Sequence, residues 1–202
     1  MQLIADNLTC ERGGRIVYHG LNFVAEAGTA MVVVGPNGIG KSSLLRQICG
    51  LVELTGGTLQ LDGGDPELTV PAQCHYFGHQ DALKPALSVE ENLRFWTQYY
   101  GPGGHDLEEA LEIVGISPIS HLPAGYLSAG QRRRLSLARL LVSHRPVWLL
   151  DEPTSALDQQ AENRLVELMN NHLESGGLII AATHAPLDIG SKTIVDMREA
   201  AQ

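Results

Sequence analysis

Eight consecutive residues, Gly35-Pro36-Asn37-Gly38-Ile39-Gly40-Lys41-Ser42, follow the spacing G-x-x-x-x-G-K-[ST]. In such a loop, successive backbone N–H groups and the first turn of the next helix form an anion nest for phosphates. Glycines let the backbone close around the anion. Lys41 is then placed to reach β- and γ-phosphates, Ser42 offers its hydroxyl to Mg²⁺, and Ser43 completes the set. Asp151-Glu152 follows the apolar run Val147 to Leu150. A carboxylate at the C-terminal end of a buried strand points into the crevice where ligands sit. Asp151 there suits Mg²⁺ and its water shell, and Glu152 suits the general base that polarises an attacking water. Leu127-Ser128-Ala129-Gly130-Gln131 puts small residues at a helix start. Both a second anion site and a plain capped helix fit that pattern.

The elements that must position these residues are legible from patterning. Leu3 to Cys10, a turn at Arg12-Gly13-Gly14-Arg15 and Ile16 to Val24 predict a hairpin. Thr29 to Val34, Val147 to Leu150 and Leu178 to Ala182 are continuous apolar runs, as expected of strands buried on both faces of a parallel sheet. Thr58 to Leu61, Cys74 to Phe77 and Thr193 to Met197 predict shorter strands. Helices are expected over Ser42 to Cys49, from Ser88 to about Tyr100, from Asp106 to Gly115, over Gly130 to Ser143 and over Gln159 to Glu174. Ser88 with Glu91 forms a capping-box pair, and Asp106 with Glu109 repeats the start signal. Strands alternating with helices predict an α/β fold with a mainly parallel sheet and an antiparallel N-terminal element. One domain is expected over 1–202, with a core of about 1–80 and 135–202 and an inserted helical subdomain of about 81–134.

Composition narrows the functions. Glycine makes up 22 of 202 residues, about 11%, where ~7% is usual. A formal net charge of −9 disfavours nucleic-acid binding through a basic surface. Arg132-Arg133-Arg134 is expected to be a solvated helix face with contacts to a second copy. Phe95, Trp96, Tyr99 and Tyr100 are expected to form the core of the helical subdomain, with a docking surface for a partner helix as the alternative. Cys10, Cys49 and Cys74 have no metal-ligand or redox spacing and read as free thiols in a reducing compartment. No apolar run approaches the length of a membrane span, and no export signal opens the chain.

With these motifs the chain resembles the ATP-binding subunits of ABC transporters over nearly its full length, a P-loop NTPase fold. The resemblance implies ATP and Mg²⁺ as ligands. It identifies Leu127-Ser128-Ala129-Gly130-Gln131 with the family's signature sequence, Ala129 replacing the commoner Gly. In a head-to-tail homodimer, Ser128, Gly130 and Gln131 would contact the ATP held by the opposite copy. Ser155-Ala156-Leu157-Asp158 matches the loop that crosses the dimer seam. Gln80 matches the lid glutamine, joining Ser42 and Asp151 around Mg²⁺. His184 matches the switch histidine that contacts the γ-phosphate. Arg12 falls where an aromatic usually stacks on adenine; Tyr18 is the alternative under a different register and is otherwise a strand residue. The strings Gly78 to Pro85, Leu87 to Trp96, Leu127 to Arg134 and Thr183-His184-Ala185-Pro186-Leu187 resemble one branch, the ATP-binding subunit of the bacterial haem exporter for c-type cytochrome maturation. That branch implies ATP hydrolysis coupled to transport, integral membrane partners of the haem exporter, a place on the cytoplasmic face of the inner membrane, and no haem or nucleic acid on this chain. Another exporter's motor is the alternative. A DNA-associated relative is disfavoured because the Lys41 to Ser128 interval lacks coiled-coil heptads. A non-hydrolysing relative is disfavoured by the intact Glu152 and His184.

Overall fold

The Gly13-Gly14 pair turns the first hairpin, with φ of +58° and +74°. Both signs suit the two-residue turn whose twist matches its strands. The computed structural model describes residues 1–101 and 103–200. The turn joins β1 (Gln2–Arg12) to β2 (Arg15–Glu26), and β4 (Gly56–Asp62) pairs on the other side of β1, giving an antiparallel sheet ordered β2-β1-β4. These strands extend beyond the runs expected from sequence, because pairing on both sides of β1 recruits flanking polar residues.

The second sheet is parallel throughout. It comprises β3 (Ala30–Val34), β5 (Cys74–Phe77), β6 (Val147–Asp151), β7 (Leu178–Ala182) and β8 (Lys192–Asp196), ordered β5-β6-β7-β3-β8. β6 and β7 are buried at every residue, as their unbroken apolar runs require. The edge strand β8 is exposed at Lys192, Thr193 and Ile194. Helix α1 (Lys41–Ile48) turns Leu44, Leu45 and Ile48 inward. One apolar cluster then unites α1 with both sheets, from Leu3, Leu8 and Tyr18 to Met31, Leu149 and Ile180. The sheets, α1 and the segments Met1–Gly78, Pro146–Pro153 and Met169 onward form one compact unit.

The second compact unit is built from His79–Arg145 and Thr154–Leu168. It carries α2 (Val89–Tyr100), α3 (Leu107–Ile113), α4 (Ala129–Leu141) and the first part of α5 (Gln159–Glu174). α2 begins with a complete capping box between Ser88 and Glu91, and Asp106 caps α3. α2 buries Val89, Asn92 and Leu93. The expectation of an aromatic core on α2 is corrected in part: Phe95 is 37% and Tyr99 68% exposed, while Trp96 and Tyr100 are half-buried. Trp96 and Tyr100 continue the row of the buried Val89 and Leu93, whereas Phe95 and Tyr99 lie beside it, so the four rings do not all face inward. They stack on one another instead, and the Arg139 guanidinium lies 4.2 Å from the Trp96 ring centre. Among the described residues, no helix is long and apolar enough to cross a membrane.

Candidate nucleotide site

β3 ends at Val34, and the chain enters the glycine-rich loop at the C-terminal edge of the parallel sheet. Gly35, Gly38 and Gly40 have φ of +143°, +79° and +114°, conformations side chains resist. The space above Gly38 is open, whereas a Cβ on Gly40 would stand 2.7 Å from Val17. Gly40 is also the N-cap of α1 and provides no side-chain cap. The helix thus starts with backbone donors that no cap side chain takes up, a property of phosphate-binding turns.

Lys41 is buried, 8% exposed. Its Nζ donates to the carbonyls of Gly35 and Pro36 at 2.8 and 3.2 Å and lies 3.1 Å from His184 Nε2. Buried ammonium groups need such partners. His184 follows β7, and its Nε2 also lies 2.7 Å from Asn37 Oδ1 and 3.8 Å from Glu152 Oε1. Asn37, Lys41, Glu152 and His184 therefore meet at one point, although they are spread over 147 positions of sequence. Glu152 has φ of +48°, a left-handed conformation that costs a non-glycine residue about 1–3 kcal/mol. Its N–H donates to Ala182 O at 2.8 Å, which ties the strained residue to the end of β7.

Asp151 is the last residue of β6 and is 3% exposed. Ser42 Oγ donates to its Oδ1 at 2.9 Å, and Tyr76 Oη donates to its Oδ2 at 3.2 Å. Arg46 Nε in turn donates to Tyr76 Oη at 3.2 Å. Burial pushes the Tyr76 phenol up to about 12, so it keeps a proton to donate at neutral pH. A hydroxyl and a carboxylate side by side, next to a phosphate-type turn, are the oxygen donors that suit Mg²⁺, which is held by one or two carboxylates plus substrate phosphates. The residues present fit that ion. Tyr76 and Arg46 carry no motif; the only sequence signal is Gly78, where a Cβ would stand 2.6 Å from the Tyr76 ring.

Two residues of the adenine reading also have a place. Arg12 is exposed at the end of β1. Tyr18 is fully buried, donates to Gln47 Oε1 at 2.5 Å and is pushed up by burial, which removes it from consideration as a stacking platform.

Gln80, Ser128, Gly130, Gln131 and Asp158 belong to the second unit. Gln80 is exposed just beyond β5. Ser128 caps α4 in a complete box: Ser128 Oγ accepts from Gln131 N at 3.2 Å, and Gln131 Oε1 accepts from Ser128 N at 2.9 Å. A shallow hollow is lined by Ser128, Gly130, Gln131, Arg134 and Asp158. Arg134 pairs with Asp158 at 2.5 Å. Asp158 Oδ1 also accepts from Ala161 N at 2.9 Å, capping α5. The solvated reading of Arg132-Arg133-Arg134 is corrected. Arg133 is 4% exposed and lies 3.6 Å from Asp81, and Arg132 donates to Leu127 O at 2.7 Å. Three successive helical positions are about 100° apart in turn, so they cannot share one face.

The parallel sheet with its glycine loop, capless helix start and strand-end carboxylates defines a P-loop nucleotide-binding protein. The ABC transporter family matches residues 18–155. The cytochrome c biogenesis ATP-binding export protein of Bradyrhizobium diazoefficiens is 59% identical over 96% of this chain and 97% of its own length. That of Nitrobacter winogradskyi is 55% identical over the same shares. A putative ABC transporter ATP-binding protein from Pyrococcus furiosus has the same fold, with a TM-score of 0.84, 23% identity and full coverage of both chains. The chain belongs to the ABC transporter family and, within it, to the cytochrome c biogenesis ATP-binding export proteins.

Proposed function

We propose that this chain is the ATP-hydrolysing subunit of an ABC transporter that exports haem for c-type cytochrome biogenesis. The relatives' name as cytochrome c biogenesis export proteins supports the cargo class. The observation that carries the chemistry is the convergence of Asn37, Lys41, Glu152 and His184 beside the Ser42–Asp151 pair. The backbone of Gly35 to Ser43 binds the phosphates, and the Lys41 ammonium neutralises their charge. Ser42, Asp151 and Gln80 would hold Mg²⁺. When bound, that ion would withdraw charge from the phosphate oxygens. Glu152 takes the proton of the attacking water at its carboxylate, and His184 orients that water and the terminal phosphate. Among the described residues Lys41 Nζ reaches the carbonyls of Gly35 and Pro36 and the His184 ring, and these contacts hold its position until phosphate takes them over.

In this reading the two compact units make a single ATP-binding domain, the helical one being the inserted subdomain. Two copies pair head-to-tail. Ser128, Gly130 and Gln131 of each touch the nucleotide of the other, and Asp158 lies at the seam. Arg12 stacks on adenine. The pair docks on integral membrane subunits at the cytoplasmic face of the bacterial inner membrane, and neither haem nor nucleic acid binds this chain. Glu152→Gln tests the assignment. ATP should still bind while phosphate release falls by about 10²-fold or more, the scale of general-base catalysis. A variant that cycles at the wild-type rate would refute the base.

A further inference from the structure

β5 and β6 are parallel neighbours with Tyr76 opposite Leu149. Side chains alternate along a strand, so Asp151, two residues beyond Leu149, projects from the same face of the sheet as Tyr76. Strand side chains lean along the strand direction, and a phenol is long enough to span the remaining gap. The absence of a side chain at Gly78 leaves room for the ring. The result is a directed chain: Arg46 Nε to Tyr76 Oη, and Tyr76 Oη to Asp151 Oδ2, each 3.2 Å. Because Arg46 donates to the phenol oxygen, the phenol proton is turned toward the carboxylate. The opposite carboxylate oxygen, Oδ1, is the one beside the Ser42 hydroxyl.

We propose that Tyr76 is a positioning residue for the divalent cation bound with nucleotide: it holds Asp151 through Oδ2 and thereby presents Oδ1, next to Ser42, to the cation. Arg46 serves by fixing the direction of the phenol. This rests on the reading of Ser42 and Asp151 as cation ligands given above. The physical reason is orientation. A carboxylate on a short side chain rotates about its last bond, and a hydrogen bond to one oxygen fixes which lone pairs face the ion. Loss of such an outer partner typically costs about 10–100-fold in metal affinity.

The test is a Mn²⁺ titration of the full chain, followed by electron paramagnetic resonance with saturating ADP, beside an ADP titration in EDTA. Tyr76→Phe should weaken Mn²⁺ binding by about tenfold and leave ADP affinity in EDTA unchanged. Arg46→Met should move Mn²⁺ affinity in the same direction by less. Equal Mn²⁺ affinity in wild type and Tyr76→Phe overturns the proposal, even if the variant melts earlier. If Tyr76→Phe does not fold, Arg46→Met decides, and an unchanged Mn²⁺ affinity there overturns it. If Ser42→Ala also leaves Mn²⁺ affinity unchanged, the underlying ligand reading falls with it; a loss for Ser42→Ala alone removes only the role of Tyr76.

Discussion

Helices α1 and α4 begin in opposite ways. At α1 the cap is Gly40, which has φ of +114° and no side chain to offer the first turn. At α4 the cap is Ser128, and a reciprocal pair with Gln131 satisfies backbone donors at both cap and third position. A helix start lacks partners for about four N–H groups. α4 meets part of that need from its own sequence, while α1 leaves it for an anion to meet. The two starts also differ in charge. Lys41 is the first residue of α1, where a cation opposes the helix dipole. α4 opens on the uncharged Ala129, Gly130 and Gln131, and neither helix has an acid in its first turn. A positive side chain at a positive helix end is unfavourable by itself, and a bound phosphate removes the conflict. α1 therefore begins on backbone donors alone, whereas α4 meets part of its need from its own side chains.

The sharpest way to break the contrast is Lys41→Ala. Removing the ammonium while leaving the loop should lower phosphate release by about 10²–10³-fold, the scale on which one preorganised electrostatic partner acts. Wild-type turnover would make the two starts equivalent. Gly40→Ala attacks the open cap directly. Positive φ and the close approach to Val17 should cost about 1–3 kcal/mol, read as a lower midpoint in chemical denaturation. Ser128→Ala removes the closed cap and should cost about 1 kcal/mol in the same assay. The smallest effect concerns a third start, α5, capped by the acid Asp158. The backbone N–H of Ala161, with Arg134 next, holds the Asp158 carboxyl below its usual range. A carboxyl depressed in the folded state contributes stability above its unfolded value and loses it as pH falls through the folded one. The melting difference between wild type and Asp158→Asn should therefore shrink in acid and be constant above neutral pH. A difference that grows in acid would contradict the sign.

Particular residues show where sequence reading reached. The capping box at Ser88 is legible because it is a contact within four residues, whereas at Ser128 the sequence leaves a plain capped start and an anion site both open and the structure shows the box with Gln131. β3, β6 and β7 were legible because strands covered on both faces leave no room for polar alternation. Arg132 to Arg134, and Phe95 and Tyr99 of α2, depart from the expectation. In both, the helical angle of about 100° per residue separates neighbours that charge or aromaticity alone would group together. Tyr76 and Arg46 are not legible from sequence because the chain from Arg46 on α1 through Tyr76 on β5 to Asp151 on β6 joins elements distant in sequence, and no spacing reports which face of β5 meets which end of β6.

By itself the sequence determined the ligand chemistry and the order of elements. The glycine loop, the strand-end acids and the helix caps are local patterns, each set by what a few adjacent residues permit. Only the tertiary structure decided which of those residues share a point in space. It placed His184 against Asn37 and Lys41, buried Tyr18 beneath Gly40 and aimed Tyr76 at Asp151. The reason is that strand order in a parallel sheet is set by crossover connections and by burial of both faces, and contacts across β5, β6, β7 and β3 exist only once that order is fixed.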